Sequence, residues 1–93
     1  MRKLLVLKEE ETDALKWANR LREKGEDVGL ILMLDAVYLA KSSGENASVM
    51  KEIIEAGVEV FTLRRDAEKR GLIKMLQPGV KLVDYDDLVD IIF

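Results

Sequence analysis

Residues 28–34 read Val-Gly-Leu-Ile-Leu-Met-Leu and are apolar at every position except Gly29. A short apolar run bounded by polar residues is typical of a strand whose two faces are both buried. Such a strand needs cover on both sides, which a parallel sheet receives from the helices that connect its strands. This stretch therefore predicts an α/β fold built on a parallel sheet.

The sequence on either side alternates between strand and helix patterns. Strand patterns occupy residues 3–7, 58–63 and 80–83, and helix patterns occupy residues 13–24, 36–40, 48–56, 66–76 and 85–92. We therefore expect a doubly wound, Rossmann-like sheet of about four parallel strands with helices on both faces, in the strand order 2-1-3-4. The chain has 93 residues, of which 48% are apolar and 35% are charged, and this predicts a single domain over residues 1–93.

The sequence contains no Cys and no His. Without Cys the chain has no disulfide, thiolate nucleophile or persulfide carrier, and without His it has no imidazole base or His-ligated metal. The glycine motifs that hold phosphates are also missing. The aspartates of residues 84–90 lack the spacing of a calcium loop and are interpreted as complementing a helix dipole. We expect no cofactor and no metal, and a binding or assembly role is favoured over an enzyme that acts alone.

The charges nearly balance, with 15 Lys and Arg against 18 Asp and Glu, which does not favour binding to nucleic acid or membranes. The N-terminal residues do not resemble a signal peptide, and the apolar run at residues 28–34 is too short to span a membrane. We therefore expect a soluble, cytoplasmic protein. One Gln, two Asn and abundant charged residues are also typical of heat-adapted proteins.

Several polar residues follow the predicted strands, where open α/β sheets bind ligands at the switch point of the strand order. The candidate contacts for a ligand or partner are Lys8, Asp35, Tyr38, Arg64, Arg65, Asp66 and Arg70. The cations of residues 64–74 either contact an anion or form a solvated helix face, and no aromatic residue lies among them to stack on a base. Asp35 is either an acid–base carboxylate or the cap of the short helix that follows it.

The chain carries more apolar surface than one small sheet needs. In the last helix, the spacing of Tyr85, Leu88, Val89 and Ile92 predicts the inward face, and the remaining apolar residues point elsewhere. Surplus apolar surface of this kind usually marks a contact between subunits. The candidate interface residues are Val37, Tyr38, Tyr85, Ile91 and Phe93.

Three stretches carry a resemblance to a known family. Residues 57–72 (Gly-Val-Glu-Val-Phe-Thr-Leu-Arg-Arg-Asp-Ala-Glu-Lys-Arg-Gly-Leu) resemble a strand–loop–helix segment of the DsrE/DsrF/DsrH superfamily of sulfur-relay proteins. Residues 80–89 (Val-Lys-Leu-Val-Asp-Tyr-Asp-Asp-Leu-Val) are similar to the closing strand and helix of its DsrH/TusB branch. Residues 34–37 are similar to that branch's second-strand end, although the branch usually has Gly where this chain has Ala36.

The resemblance implies a Rossmann-like sheet, assembly into multimers, and a role in passing persulfide sulfur toward tRNA wobble-uridine thiolation or within sulfur oxidation. In the DsrE/TusD branch the sulfur-carrying Cys ends the third strand, at the position matched here by Leu63. The implied function is a non-catalytic subunit that assembles with itself or with Cys-bearing DsrE/DsrF-like (TusD/TusC-like) subunits.

Two alternatives remain open at this point. The first is a homo-oligomer that binds a small ligand or anion at the switch point, with Lys8, Arg64, Arg65 and Arg70 as donors and Asp35 as acceptor. The second is a hydrolase that uses carboxylates only, and it depends on Asp35 alone.

Overall fold

The computed structural model describes residues 2–93. In chain order the elements are β1 (Lys3–Leu7), α1 (Thr12–Glu23), β2 (Val28–Leu32), a 3₁₀ segment (Leu34–Ala40), α2 (Ala47–Glu55), β3 (Glu59–Leu63), α3 (Arg64–Lys69), a 3₁₀ turn (Ile73–Met75), β4 (Lys81–Val83) and α4 (Tyr85–Ile92). None of the helices in this part of the chain is both long enough and apolar enough to cross a membrane.

The four strands form one parallel sheet in the order β1-β2-β3-β4. The predicted α/β class and parallel sheet are confirmed, whereas the predicted strand order 2-1-3-4 is wrong. All five residues of β2 are buried, as its sequence predicts for a central strand. β1 has a similar apolar sequence but lies at the edge of the sheet, where Leu7 is buried and Val6 is 47% exposed.

This strand order decides where the helices lie. Right-handed connections between strands that neighbour each other in sequential order all fall on the same side of the sheet. α1, α2 and α3 accordingly cover one face, here called the crossover face, and contribute Leu15, Met50 and Ala67 to its core together with Leu30 and Val60 of the sheet. Since the strand order does not reverse, the described sheet has no switch point.

The opposite face, here called the α4 face, is covered only in part. Leu88 and Ile91 of α4 pack on it against the second core cluster, which includes Ile31 and Phe61. The cations of Arg2 and Lys81 lie 5.5 and 5.6 Å from the centre of the Phe61 ring, so that long charged side chains shield this ring.

α4 presents a different side to the sheet from the one that its sequence predicts. Leu88 and Ile91 face inward, and the predicted inward positions Tyr85, Val89 and Ile92 are 56%, 56% and 45% exposed. Phe93 is 96% exposed. We call the exposed set Tyr85, Val89, Ile92 and Phe93 the α4 stripe.

The predicted helix over residues 66–76 is interrupted after its first turns. α3 ends at Lys69, and Gly71 adopts a φ of 66° in the left-handed region that glycine tolerates. The Leu72 N–H then donates to the Ala67 carbonyl oxygen at 2.9 Å, which closes a Schellman motif. This turn brings the chain back toward the 3₁₀ segment.

Candidate functional site at the carboxyl edge

Four of the predicted site residues converge beyond the carboxyl ends of β2 and β3. Asp35 and Tyr38 lie on the 3₁₀ segment that follows β2, and Asp66 and Arg70 lie on and just after α3, which follows β3. The two strands are parallel neighbours, so the segments that leave their carboxyl ends lie side by side. We call these four residues the Arg70 cluster.

Arg70 joins the two segments through its guanidinium group. Its Nε and Nη2 donate to Asp35 Oδ1 at 3.2 and 2.9 Å, and its Nη1 donates to the Asp66 carbonyl oxygen at 3.1 Å. Nη1 also lies 4.0 Å from Asp66 Oδ1, and the guanidinium carbon lies 6.0 Å from the centre of the Tyr38 ring. All three guanidinium nitrogens therefore have internal partners, so Arg70 holds the two segments together in this structure.

Asp66 contacts the second segment at a position that sequence analysis does not identify. Its Oδ2 accepts a hydrogen bond from the Leu34 N–H at 2.7 Å, and Asp66 itself is only 5% exposed. Leu34 has a φ of 51°, in the left-handed region where a residue with a Cβ loses about 1–2 kcal/mol. A Leu at the end of an apolar run carries no sequence signal for such a turn, and for that reason the role of Leu34 was missed.

The remaining predicted contacts do not join this cluster. Arg64 pairs with Asp84 at 3.5 Å, whereas Lys8 and Arg65 are exposed and form no ion pair with any other part of residues 2–93. Lys8 follows β1 and Arg64 follows β3, so that β2 separates them by two strand spacings, about 10 Å. The anion-binding alternative thus lacks both its switch point and its converging donors.

A small cleft beside Tyr38 is the nearest cavity to the cluster. It has a volume of about 150 Å³ and is lined by loop residues that include Glu10, Lys41 and Glu45. Ligand pockets usually occupy roughly 300–1,000 Å³. Within residues 2–93, no three His, Cys, Asp or Glu side chains lie close enough together to hold a metal ion. The geometry at this edge fixes two chain segments against each other and offers no enclosed site for a substrate.

The candidate interface residues occupy three different environments. Val37 is completely buried in the crossover core, because most residues of the 3₁₀ segment are needed to cover that face, so it is not part of the surface. Ile91 is half-buried on the side of α4 that faces the sheet. Tyr38 is 36% exposed at the Arg70 cluster, and Tyr85 and Phe93 lie in the α4 stripe.

Comparison with known proteins identifies the family of this chain. The sequence profile of the family described as "DsrH like protein" matches residues 9–93. Protein TusB of Pectobacterium parmentieri is 30% identical over 71 residues, which cover 76% of this chain and 72% of that protein. Protein TusB of Erwinia tasmaniensis is 28% identical over 72 residues, which cover 77% and 70%. The crystal structure of the YchN protein from E. coli superimposes with a TM-score of 0.74 at 26% identity, covering 97% of this chain and 91% of that one. The chain, with its four-stranded parallel sheet, therefore belongs to the DsrH-like family, in its DsrH/TusB branch.

Proposed function

We propose that this chain is a non-catalytic, assembly-forming subunit of a sulfur relay. It contacts Cys-bearing DsrE/DsrF-like (TusD/TusC-like) subunits, copies of itself, or both, and it shapes a complex in which another chain carries the persulfide. The relay serves tRNA wobble-uridine 2-thiolation or intracellular sulfur oxidation. Residues 1–93 act in it as one domain, in the cytoplasm and without direct contact to nucleic acid.

The absence of Cys from the sequence supports the proposal that this chain is non-catalytic. A sulfane sulfur atom is carried on a thiolate, and the chain has no Cys. Leu63, which the resemblance matches to the carrier Cys of the DsrE/TusD branch, is fully buried at the end of β3 and packs in the same cluster as Leu88. The place where a carrier thiol would stand is therefore filled by an apolar side chain beneath α4.

The observation that carries the proposal is the α4 stripe. Tyr85, Val89 and Ile92 of α4 and Phe93 just after it lie on one side of this helix and are exposed, whereas Leu88 and Ile91 pack in the core cluster beneath it. Covering the exposed part of these four side chains is worth on the order of 5 kcal/mol, which is enough to contribute strongly to a subunit contact. The other residues of α4 include three aspartates and no cation, so we expect basic residues on the partner surface around the stripe.

Capture of purified partners tests this proposal. We expect the chain to bind Cys-bearing DsrE-like and DsrF-like proteins from the same organism, and we expect Val89→Asp to weaken that binding at least tenfold because it places a charge in the buried contact. Trp17→Asp is the matched control, since Trp17 lies on α1 and is 57% exposed, nearly the same as Val89 at 56%. A wild-type chain that is monomeric at micromolar concentration and captures neither relative contradicts the proposal.

A further inference from the structure

The two edges of the sheet differ in how they are protected against pairing with another strand. β4 has only three residues, follows the Pro78-Gly79 turn, and carries the charged Lys81 at its start. Short length, charge and proline are the usual protections of an exposed edge. β1 also begins with a lysine, Lys3, but it has five residues in continuous register with β2, and four of them, Leu4 to Leu7, are consecutive apolar residues without a bulge or a proline.

The outer side of β1 also presents free backbone groups. The Lys3 N–H donates to the Asp27 carbonyl oxygen, and the Leu7 carbonyl oxygen accepts the Met33 N–H, so residues 3, 5 and 7 direct their backbone groups toward β2. Backbone groups alternate in direction along a strand, so the N–H and C=O groups of Leu4 and Val6 point away from the sheet. They have no backbone partner within residues 2–93, and the helices that connect the strands cover the crossover face rather than this edge.

The charges at the two ends of β1 indicate which strand fits this edge. Arg2 and Lys3 stand at its start, and Glu9 and Glu10 follow its end. An antiparallel copy with Val6 opposite Val6 places Lys3 near Glu9 and Arg2 near Glu10, twice by symmetry. Shifting the copy so that Leu5 lies opposite Leu5 instead opposes Arg2 to the cation of Lys8, which is unfavourable.

Lys3, Glu9 and Glu10 are accessible for these contacts, whereas Arg2 already pairs with Glu59 and Asp27 and lies over the Phe61 ring. Glu9 and Glu10 are exposed and form no ion pair with the rest of residues 2–93. Lys3 pairs with Glu26 at 2.9 Å, but its side chain is 52% exposed and its ammonium group has three donors. The exposed Val6 side chains of both copies would meet on the α4 face, which adds an apolar contact at the symmetry axis.

We propose that a second copy of this chain pairs with β1 antiparallel and in this register, forming one continuous eight-stranded sheet around a two-fold axis. Such an interface is closed, because the same edge is used by both copies. The inference rests on the assembly role proposed above, but it uses a surface separate from the α4 stripe and so leaves that stripe available to other subunits.

Val6→Pro tests the pairing, because it removes the outward N–H of Val6 and leaves the bonds of Lys3, Leu5 and Leu7 to β2 in place. Edge strands tolerate proline at such a position. Sedimentation equilibrium is expected to give twice the chain mass of 10.6 kDa for the wild type. For Val6→Pro we expect the dissociation constant of the dimer to be at least tenfold higher. Val6→Thr keeps the N–H and the β-branched shape and is expected to behave as the wild type.

Disulfide trapping provides a second measurement that does not depend on tolerance of proline. The chain has no Cys, so a single introduced thiol reports on one contact only. Opposed residues of an antiparallel pair lie within the Cα separation that a disulfide requires. With oxidised glutathione as oxidant, Val6→Cys is expected to form covalent dimers at least tenfold faster than Trp17→Cys on α1.

The outcomes separate this inference from the proposed function. A monomeric wild type, a dimer that persists in Val6→Pro, or equal trapping rates at positions 6 and 17 overturns the pairing through β1. Capture of Cys-bearing subunits by Val6→Pro would still support the proposed function, and loss of that capture in Val89→Asp with an intact dimer would support both.

Discussion

Arg70 shows how much of the carboxyl edge depends on one side chain. It bonds to the exposed carboxylate of Asp35 and to the backbone of Asp66, and it is the cation that faces the nearly buried Asp66 carboxylate. Removing it would leave that carboxylate without a counter-charge, which costs more than the loss of a surface ion pair. The cluster therefore acts as a structural clasp between the 3₁₀ segment and α3.

Arg70→Met tests this assignment. We expect it to lower the free energy of unfolding by about 2 kcal/mol, which corresponds to a fall in Tm of roughly 10 °C for a domain of this size. Arg65→Met is the control, because Arg65 is exposed and unpaired within residues 2–93, and it is expected to change stability by less than about 0.5 kcal/mol. Equal urea midpoints for the two variants would contradict the clasp.

Leu34 provides a second test at the scale of single residues. Its φ of 51° makes Gly more favourable than Ala at this position, which reverses the usual order of the two residues. In the middle of a helix or strand, a protein with Gly is less stable than the same protein with Ala by about 0.5–1 kcal/mol. At position 34 we expect Leu34→Gly to be more stable than Leu34→Ala by about 1 kcal/mol, since only Ala retains the left-handed penalty. Both variants remove the same side chain, so chemical denaturation of the pair isolates the backbone effect. A more stable Ala variant would show that the Asp66 contact does not hold this turn.

At the scale of elements, sequence periodicity predicted which segments form strands and helices better than it predicted how they are placed. β1 and β2 are both short apolar runs, and nothing in residues 3–7 indicates that one face of β1 is exposed. The position of β1 at the edge therefore became known only from the structure of the sheet. α4 contains two overlapping apolar stripes, and the one with more members was predicted to face inward. The structure buries the narrower pair, Leu88 and Ile91.

The convergence of the Arg70 cluster illustrates the same limit. Its members follow neighbouring strands, so the position of each residue at the carboxyl edge could be predicted from the sequence. Their mutual bonds could not, because side chains 35 positions apart in the chain meet only when β2 and β3 are adjacent. The separation of Lys8 from Arg64 has the same origin in strand order.

The turn before β4 carries a packing constraint that belongs to the element scale. Gly79 and Gly44 both have a φ of 97°, but a Cβ on Gly79 would lie 2.8 Å from Ile54 Cγ2, whereas one on Gly44 would meet nothing within 4 Å. Both alanine variants retain the same backbone penalty. We therefore expect Gly79→Ala to be less stable than Gly44→Ala by about 1–2 kcal/mol, as measured by thermal unfolding. Equal losses of stability in the two variants would mean that the turn can move away from α2 without a cost in free energy.

At the scale of the whole molecule, the covered face of the sheet and the uncovered surfaces have different tasks. The crossover face is closed by three helices and the Arg70 cluster, and it stabilises the chain. The α4 stripe and the outer edge of β1 remain uncovered, and we infer that they make the contacts of an assembly in which other chains carry the thiol. A subunit of this kind contributes shape and affinity rather than chemistry.

Hydrogen–deuterium exchange on the chain, with and without the Cys-bearing DsrE-like and DsrF-like proteins, shows whether the α4 stripe is the surface at which these subunits dock. We expect residues 85–93 to exchange rapidly in the free chain and to become protected when the partners are added. Unchanged exchange at residues 85–93 in a mixture that nevertheless forms a complex would show that the α4 stripe is not the docking surface.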